Sequence, residues 1–439
     1  MIKDMTLEWN AGLLQAIRVN GGPPTPISRT AAMMHLAMYD AVNVISPKHA
    51  AYLPGTAIAS AKACAGNTFG TKEAAAIGAA HTVLLDAYPR QSAYLDALKT
   101  DTRNSLVAGG QLAADVDAGI AFGRCVGLEM IKHRANDNSG VIKFFQGTKP
   151  GQWRETGSGP AATPAWGGVK PFVIPNAAAF HPPKLTDLAA EGSTTLQGVL
   201  KTTEYARQLA EVQALGSAYS TVRTAEQTEI AFFWANDLDR TSKPPGQLCD
   251  ITRIVLQQYR DRFPTDARWS FEEGVRLFAL VAAAMADAGI VAWNVKYIKD
   301  FELWRPESAI RLAGFDGNLL TTHDLTWTSL SADVNGNRFS PPFPAYISGH
   351  ATFGAAHAGI MRRFFGTDFV TFTLSTEDPH MPRDEYGIKK TRTFQSFTEA
   401  ALENGRSRIY LGVHYQWDAT GGYESGTKIA NHVIENALT

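Results

Sequence analysis

Apolar residues recur every three to four positions over most of the chain, and this spacing predicts amphipathic helices. The predicted helices span 5–20, 28–46, 72–88, 91–107, 112–133, 200–216, 223–236, 247–263, 268–295, 350–365, 391–405 and 415–436. The alternation of apolar and polar residues that is typical of strands is scarce, and so are runs of β-branched residues. The pattern therefore predicts an all-α protein.

Two stretches rich in glycine and proline, 136–192 and 313–347, interrupt this pattern and predict loops. The first stretch contains the aromatic residues Trp153, Trp166, Phe172 and Phe180. It is too apolar for a free linker, so we predict an ordered loop. The expected organisation is a single domain over 1–439, with a helical half at 1–215 and a second helical bundle at 216–439.

Charge and hydropathy exclude several classes of protein. The formal net charge of the 439 residues is −1, which lacks the basic excess of a nucleic-acid-binding protein. Any anion site must therefore be a local cluster of cations. No run of about 18 apolar residues is present, which predicts no membrane helix. The first residues, MIKDMTLEWNAGLLQAIRV, do not resemble a signal peptide. The compartment stays open, since a signal removed before residue 1 would make the protein secreted or periplasmic.

The chain has three cysteines, Cys64, Cys125 and Cys249, which lie far apart in the sequence and form no CxxC pair. This odd number and wide spacing argue against a zinc site and against a disulfide framework. We therefore expect reduced and mostly buried thiols.

Two short segments of the second half have the residues of an oxyanion site. Arg305 directly precedes Pro306, and a residue before proline avoids the helical conformation, so Arg305 is expected at a helix end. Ser348-Gly349-His350 closes a proline-rich loop and opens a predicted helix. A helix N-terminus with a small hydroxyl and exposed N–H groups binds tetrahedral anions. Taken alone, an arginine on a solvated face and an ordinary serine N-cap explain the same residues.

A third segment contains Ser407-Arg408 and, further on, His414 and Asp418. His414 and Asp418 are four residues apart, which makes them neighbours on a helix. A carboxylate beside an imidazole fixes its tautomer and raises its basicity, as suits a metal ligand or a nucleophile. A satisfied core histidine is the ordinary alternative for His414 alone.

The three segments together resemble the signature of the vanadium haloperoxidases and the type-2 phosphatidic-acid phosphatases. Within that superfamily the chain is most similar to chloroperoxidase-type bacterial and fungal haloperoxidases. The similar stretches are HLAMYDAVN at 35–43, FFWAND at 232–237 with the PPGQ that follows, DAGIVAW at 287–293, PPFPAY at 341–346, GHATFG at 349–354 and SRIYLGVH at 407–414. The resemblance covers essentially the whole chain and is strongest from about 225 to 425.

The resemblance implies an all-α fold of two four-helix bundles packed in one compact unit, with vanadate as the cofactor. It implies that Lys296, Arg305 and Arg408 neutralise the equatorial vanadate oxygens, while Ser348 and the Gly349 N–H group hydrogen-bond to them. Two arginine forks suit a tetrahedral oxyanion, and phosphate or sulfate would fit the same ligands.

The resemblance also assigns the catalytic histidines and the walls of the site. It implies that His414, beside Asp418, is the axial ligand of vanadium and that His350 is the acid–base residue. Asp237 matches a carboxylate that pairs with the arginine at the position of Arg408. Trp293 and Phe343 match apolar residues that line the halide pocket.

Two positions depart from the family pattern. The family places its lysine seven residues before the arginine that matches Arg305, where this chain has Ile298. Lys296 and Lys299 flank that position. The AGIVAW context favours Lys296, but on a regular helix Lys296 would face away from Arg305, so a bulge or loop is required. The second departure is Ile347, where the family usually has a proline.

The predicted function is that of a vanadium-dependent haloperoxidase, in which vanadate acts as a Lewis acid that polarises hydrogen peroxide. The expected halide is bromide, with chloride as a second candidate, and the resulting hypohalous acid halogenates a small organic acceptor. One alternative is a soluble acid phosphatase with His414 as nucleophile. Another is a vanadium-independent, phosphate-binding homologue, which only the displaced lysine supports. Bacterial relatives are commonly homodimers, and no sequence feature identifies an interface.

Overall fold

The computed structural model describes residues 3–439, and helices dominate it. The helices are α1 Met5–Asn20, α2 Pro24–Ile45, α3 Gly55–Cys64, α4 Lys72–Ala87, α5 Ser92–Ala108, α6 Ala113–Arg134, α7 Leu185–Ala189, α8 Leu196–Val199, α9 Thr203–Leu215, α10 Ala225–Ala235, α11 Lys243–Arg262, α12 Phe271–Lys296, α13 Pro306–Arg311, α14 Gly349–Phe365, α15 Phe397–Tyr410 and α16 Gln416–Asn436. The strands β1 Phe372–Leu374 and β2 Arg392–Phe394 pair antiparallel, with Phe372 opposite Phe394. The all-α prediction is confirmed.

The long helices match their predicted positions, and the two main differences have local causes. Helix α3 was not predicted, because only Ala61 of its ten residues is buried and no apolar stripe marks it. The prediction of a helix from residue 391 is wrong at its start, since 392–394 form strand β2. Ser396 then caps α15, and its hydroxyl accepts a hydrogen bond from the Glu399 N–H group at 3.0 Å.

The chain folds into two compact units. Unit 1 comprises the described residues up to Asp137, together with Pro245–Ala286 and His432–Thr439. Unit 2 comprises Asn138–Pro244 and Asp287–Asn431. Each unit draws on segments from both sides of residue 216, so neither is continuous in the sequence. The description of 1–439 as a single domain with halves at 1–215 and 216–439 stays a prediction.

Unit 1 is built on the close packing of α4 against α6. A Cβ atom on Gly123 would overlap the backbone oxygen of Ala75, and one on Gly78 would overlap the oxygen of Ile120. Only glycine permits this approach of two helix backbones, and the short distance lets the alanines around it form a dense core.

The expectation of reduced thiols is wrong for two of the three cysteines. Cys64 on α3 and Cys125 on α6 form a disulfide whose Cα atoms are 6.0 Å apart. The two residues are 61 positions apart in the sequence, and they meet because α3 packs against α6. Since α3 itself was not predicted, the sequence offered no reason to pair them. Cys249 is a free, buried thiol.

Helix α12 supplies a long apolar segment and also anchors the loop of unit 2. Among residues 3–439 it is the one helix that is long and apolar enough to cross a membrane, and 94% of its most apolar window is buried inside the protein. Asp287 interrupts that segment and accepts hydrogen bonds at 2.7–3.0 Å from the N–H groups of three successive loop residues. Those residues are Phe172, Val173 and Ile174. The stretch 136–192 is thus ordered, as predicted, although its end forms the short helix α7.

Candidate functional site

The residues predicted to bind an oxyanion lie in unit 2, on the ends of four helices and in the loops beside them. Lys296 is the last residue of α12, Ser348 caps α14, and Arg408 lies in the last turn of α15. The side chains are buried, with exposed fractions of 0% for Lys296, Arg305 and Ser348, and 1% for Arg408. Charged side chains are rarely fully buried, so this group of cations requires an explanation.

Arg305 is the N-cap of α13 and has an extended backbone, as the following proline predicts. Its Nε atom donates to the Phe343 carbonyl at 2.7 Å, and its Nη1 atom donates to the Val413 carbonyl at 2.6 Å. Nη1 also lies 3.0 Å from Nε2 of His414. Burial lowers the pKa of Arg305 to about 9, so the group stays charged at neutral pH.

Arg408 contacts the carboxylate that the resemblance assigned to it. Its Nη2 atom donates to Oδ2 of Asp237 at 2.7 Å, and the Asp237 side chain is 25% exposed. Oδ1 of Asp237 lies 3.8 Å from Nε2 of His350. Although burial raises the pKa of Asp237, His350, Arg408 and Lys243 lower it overall, so the carboxylate is ionised. Asp237 therefore connects one arginine of the site to the histidine predicted to move protons.

Ser348 and the first turn of α14 form the expected helix N-terminus. The Ser348 hydroxyl accepts a hydrogen bond from the Ala351 N–H group at 3.4 Å, and the Thr352 N–H group donates to the Ser348 carbonyl. The N–H groups of Gly349 and His350 precede the first intrahelical bond, so helix geometry leaves them available to a ligand. The positive end of the helix dipole lies at the same place.

His350 and His414 differ in their surroundings and thus in what they can do. Nε2 of His350 lies 3.3 Å from the Ala235 carbonyl, while burial and Arg408 lower the pKa of His350 to about 4. Burial and the neighbouring cations also lower the pKa of His414 well below its ordinary value. Both rings are neutral at pH 7, so each retains a nitrogen lone pair.

Asp418 orients His414, although His414 precedes α16 instead of lying in it. Oδ2 of Asp418 is 2.8 Å from Nδ1 of His414 and 3.0 Å from the Tyr415 backbone nitrogen. The Asp418 carboxylate therefore caps the N-terminus of α16 and also fixes the orientation of the His414 imidazole. A proton on Nδ1 leaves the lone pair on Nε2, the atom that faces Arg305. Burial raises the pKa of Asp418 to about 7.

Lys296, and not Lys299, is buried beside the residues of the site. Lys299 is exposed, whereas the Lys296 ammonium is fully buried. Helix α12 ends at Lys296, and an irregular segment follows it. This segment is the break in the helix between Lys296 and Arg305 that the unusual spacing required. Burial and Arg305 lower the pKa of Lys296, while Asp418 opposes that shift.

Trp293 and Phe343 form an apolar wall beside these cations. Their ring centroids are 4.9 Å apart, and the guanidinium carbon of Arg305 lies 4.7 Å from the centroid of Phe343. The Lys296 ammonium is 5.1 Å from the same ring. The indole N–H group of Trp293 donates to the Ala162 carbonyl at 3.1 Å, which ties the ring to the ordered loop of unit 2.

Within residues 3–439, three donor nitrogens of the two arginines have no protein acceptor. Within residues 3–439, no protein acceptor reaches Nη2 of Arg305, or Nε and Nη1 of Arg408, and all three atoms are buried. An unsatisfied buried donor on a charged group costs about 1–3 kcal/mol or more. Three such donors beside a helix N-terminus fit a tetrahedral or trigonal oxyanion, which accepts several hydrogen bonds at once.

Two residues that support the site were not predicted. The Lys243 ammonium donates to the Asp237 carbonyl at 2.6 Å, and the Asn404 amide donates to the His350 carbonyl at 3.2 Å. Lys243 lies only six residues after Asp237 and next to the PPGQ stretch, which was a usable signal. Asn404 lies one helical turn before Arg408, and no local pattern distinguishes it from any polar helix residue.

Comparison with known proteins connects this geometry to a family. Residues 276–439 match the family model described as the VCPO second helical-bundle domain. The vanadium chloroperoxidase of Curvularia inaequalis is 33% identical over 255 residues, which cover 50% of this chain and 41% of that protein. This chain thus matches less than half the length of that relative.

Solved structures extend the likeness to the whole fold. A bacterial vanadium-dependent iodoperoxidase superposes with a TM-score of 0.77 at 22% identity, covering 100% of this chain and 98% of that one. A holo-type bacterial vanadium-dependent chloroperoxidase gives a TM-score of 0.67 at 15% identity, covering 95% and 93%. Residues 276–439 thus match a family model of the second helical-bundle domain, and the whole chain shares the fold of these vanadium-dependent enzymes.

Proposed function

We propose that the protein is a vanadium-dependent haloperoxidase that oxidises a halide with hydrogen peroxide, preferring bromide and accepting chloride as a second substrate. The hypohalous acid then halogenates a small organic acceptor. The observation that carries this proposal is the set of buried arginine N–H groups that no acceptor within residues 3–439 reaches, close to a neutral histidine.

The residues of unit 2 fit vanadate as the bound oxyanion. Arg305 and Arg408 offer three donor nitrogens to its oxygens, and the first turn of α14 offers backbone N–H groups. His414 offers Nε2 as a nitrogen ligand, with Asp418 fixing the tautomer. When bound, vanadate supplies a Lewis acid that polarises peroxide without changing its oxidation state.

His350 is the residue that we expect to move a proton during the reaction. Its pKa of about 4 keeps the imidazole neutral at pH 7, so its ring can accept a proton from hydrogen peroxide. Asp237 lies 3.8 Å from Nε2 and stabilises the imidazolium that results. The same Asp237 holds Arg408, so the proton acceptor and one anion-binding group share a carboxylate.

The wall formed by Trp293 and Phe343 suits a large, weakly hydrated halide. Two buried cations, Lys296 and Arg305, lie within about 5 Å of the Phe343 ring and supply a positive potential there. Bromide is easier to oxidise and to desolvate than chloride, which supports the preference proposed here. The iodoperoxidase activity named for one structural neighbour makes iodide a necessary third test.

The decisive assay is the vanadate-dependent halogenation of monochlorodimedone with hydrogen peroxide and iodide, bromide or chloride. We expect activity with bromide after orthovanadate is added to protein freed of phosphate. His414→Ala should lower kcat/KM by about 100-fold or more, as removal of a group that stabilises the transition state does. The exposed His323 provides the matched control, because His323→Ala should keep full activity.

The same ligands suit a phosphohistidine mechanism, so the phosphatase alternative needs its own measurement. Turnover of p-nitrophenyl phosphate should be negligible before vanadate is added. Fast phosphate release that vanadate inhibits, without halogenation by any halide, would replace the haloperoxidase with an acid phosphatase. Tight phosphate binding with neither activity would favour the vanadium-independent homologue.

A further inference from the structure

The Lys296 ammonium already has a complete set of hydrogen-bond partners. Its Nζ atom donates to the carbonyl oxygens of Pro344 at 2.7 Å, Ala345 at 3.2 Å and Ile347 at 2.6 Å. A lysine ammonium has three N–H groups, so these three acceptors use all of them. The acceptors all lie in the short segment 344–347, which immediately precedes Ser348.

The two arginines of the site differ from Lys296 in this respect. Arg305 keeps one donor nitrogen, Nη2, and Arg408 keeps two, Nε and Nη1, that no acceptor within residues 3–439 reaches. An anion can take those donors without breaking an existing bond. To bind Lys296 it would have to displace a buried carbonyl, which then costs about 1–3 kcal/mol. This difference favours the arginines as the hydrogen-bonding cations.

We propose that Lys296 is a positioning residue that holds the 344–347 loop, and through it Ser348 and the first turn of α14, while Arg305 and Arg408 make the direct cationic hydrogen bonds to the oxyanion. This departs from the role that the family resemblance implies for the lysine. It also explains how Lys296 can have a role although it does not have the family's spacing from the arginine. The loop carbonyls, and not the anion, determine the position of its ammonium.

The rest of the loop shows what Lys296 adds. The Ala345 N–H group donates to the Leu303 carbonyl at 2.8 Å, and the Ser348 N–H group donates to the Asp418 carbonyl at 3.0 Å. These bonds hold the N–H groups of the loop, whereas Lys296 holds its carbonyls. Removing the ammonium leaves three carbonyls in a buried place and loosens the segment that aims the N-terminus of α14.

This inference rests on the proposed oxyanion site, and amide hydrogen exchange tests it without requiring peroxidase activity. The measurement compares exchange in peptides covering 344–352 for the wild-type protein, Lys296→Met and Lys296→Gln, alongside calorimetric titration with inorganic phosphate. Lys296→Met should raise exchange in these peptides at least tenfold and weaken phosphate binding about tenfold, equivalent to about 1.4 kcal/mol. Lys296→Gln should recover part of both losses, because its amide still offers two N–H donors.

Arg408→Lys is the matched control, since it changes a donor to the anion and leaves the loop bonds intact. It should weaken phosphate binding while exchange in 344–352 stays at the wild-type rate. Wild-type exchange in Lys296→Met, combined with equal losses of phosphate affinity in the Met and Gln variants, would overturn the inference and make Lys296 a direct ligand. If Lys296→Met does not fold, the Gln variant decides by the same two readouts. Absence of phosphate binding in the wild type would contradict the proposed function. The exchange measurement would still test whether Lys296 holds the 344–347 loop.

Discussion

Each unit buries a cluster of arginines, and the two clusters are satisfied in opposite ways. In unit 1, Arg29 and Arg134 both donate to Oδ2 of Asp137, at 2.8 Å and 2.9 Å, and Arg134 and Asp137 are almost fully buried. In unit 2, Arg305 and Arg408 are equally buried, yet three of their donor nitrogens lack an acceptor within residues 3–439.

Whether a buried guanidinium group has acceptors within the protein distinguishes a structural arginine from one that binds a ligand. Burying a guanidinium is costly, and a carboxylate from the same chain offsets that cost in unit 1. In unit 2 the cost of burying the guanidinium groups is only partly offset. Asp237 contacts only one nitrogen of Arg408. Arg305 has no carboxylate among its hydrogen-bond partners within residues 3–439, which are two carbonyls and His414. A fold tolerates such donors where a bound anion completes them, so burial alone does not identify a functional arginine.

Replacing one arginine from each cluster should produce opposite phenotypes, and this is the largest effect we expect. Arg134→Met breaks a buried pair and should lower the free energy of unfolding by about 3 kcal/mol or more. Arg408→Met removes two donors to the anion and should weaken phosphate and vanadate binding about 100-fold. Urea unfolding and calorimetric titration of both variants measure the two quantities.

Each variant is the control for the other. Arg134→Met should bind phosphate with wild-type affinity, provided that the folded fraction is taken into account. Arg408→Met should lose less stability, because the Asp237 side chain it leaves behind is 25% exposed. Equal losses of anion affinity in the two variants would remove the distinction drawn between the clusters.

Asp418 sharpens the comparison, because its partner is an imidazole instead of a guanidinium. Asp418→Asn removes the carboxylate from Nδ1 of His414 and should weaken vanadate binding about 10–100-fold. Phosphate affinity should stay unchanged or rise slightly, since phosphate needs hydrogen bonds but no nitrogen ligand. Titration of one preparation with both anions separates the effects. An equal loss for vanadate and phosphate would show that Asp418 does not act through His414.

The parts of the site that could be predicted from the sequence depend on local rules. Arg305 before Pro306 has an extended backbone at a helix start, and Ser348 caps α14, because both effects act within a few residues. The contact of His414 with Asp418 is present as expected, although His414 lies outside the helix that was assumed. The pairing of Arg408 with Asp237 came from family resemblance alone, as the two are 171 residues apart.

The rest depends on contacts between distant segments, for which one sequence holds no signal. Nothing in the spacing of Lys296 shows that three carbonyls of a loop about 50 residues later surround its ammonium. The Cys64–Cys125 disulfide was likewise missed because it requires α3, a helix with hardly any buried face. Local patterns therefore predicted which residues are special, and tertiary packing determines which of their donors remain for a ligand.

A buried carboxylate of unit 1 offers the smallest and most specific test. Asp40 is fully buried and accepts hydrogen bonds at 2.8 Å from the N–H groups of Tyr52 and Leu53, unlike Asp137 with its two arginines. Burial raises the pKa of Asp40 to about 7, above its ordinary value of 3.8. The folded protein therefore holds this proton more tightly than the unfolded chain does.

The resulting contribution to stability should be complete below pH 3.8 and should be lost as the pH rises through about 7. The pKa of about 7 already includes the effect of the two backbone donors, which favour the ionised carboxylate, so we expect a loss of about 2 kcal/mol between pH 5 and pH 7. Asp40→Asn should remove this pH dependence of the free energy of unfolding, as measured by urea unfolding at several pH values. Asp137→Asn should lower the free energy of unfolding but leave its pH dependence unchanged. An unchanged pH dependence of the free energy of unfolding in Asp40→Asn would show that unit 1 holds the Asp40 carboxylate ionised. Backbone N–H groups would then be able to replace the arginines that Asp137 requires.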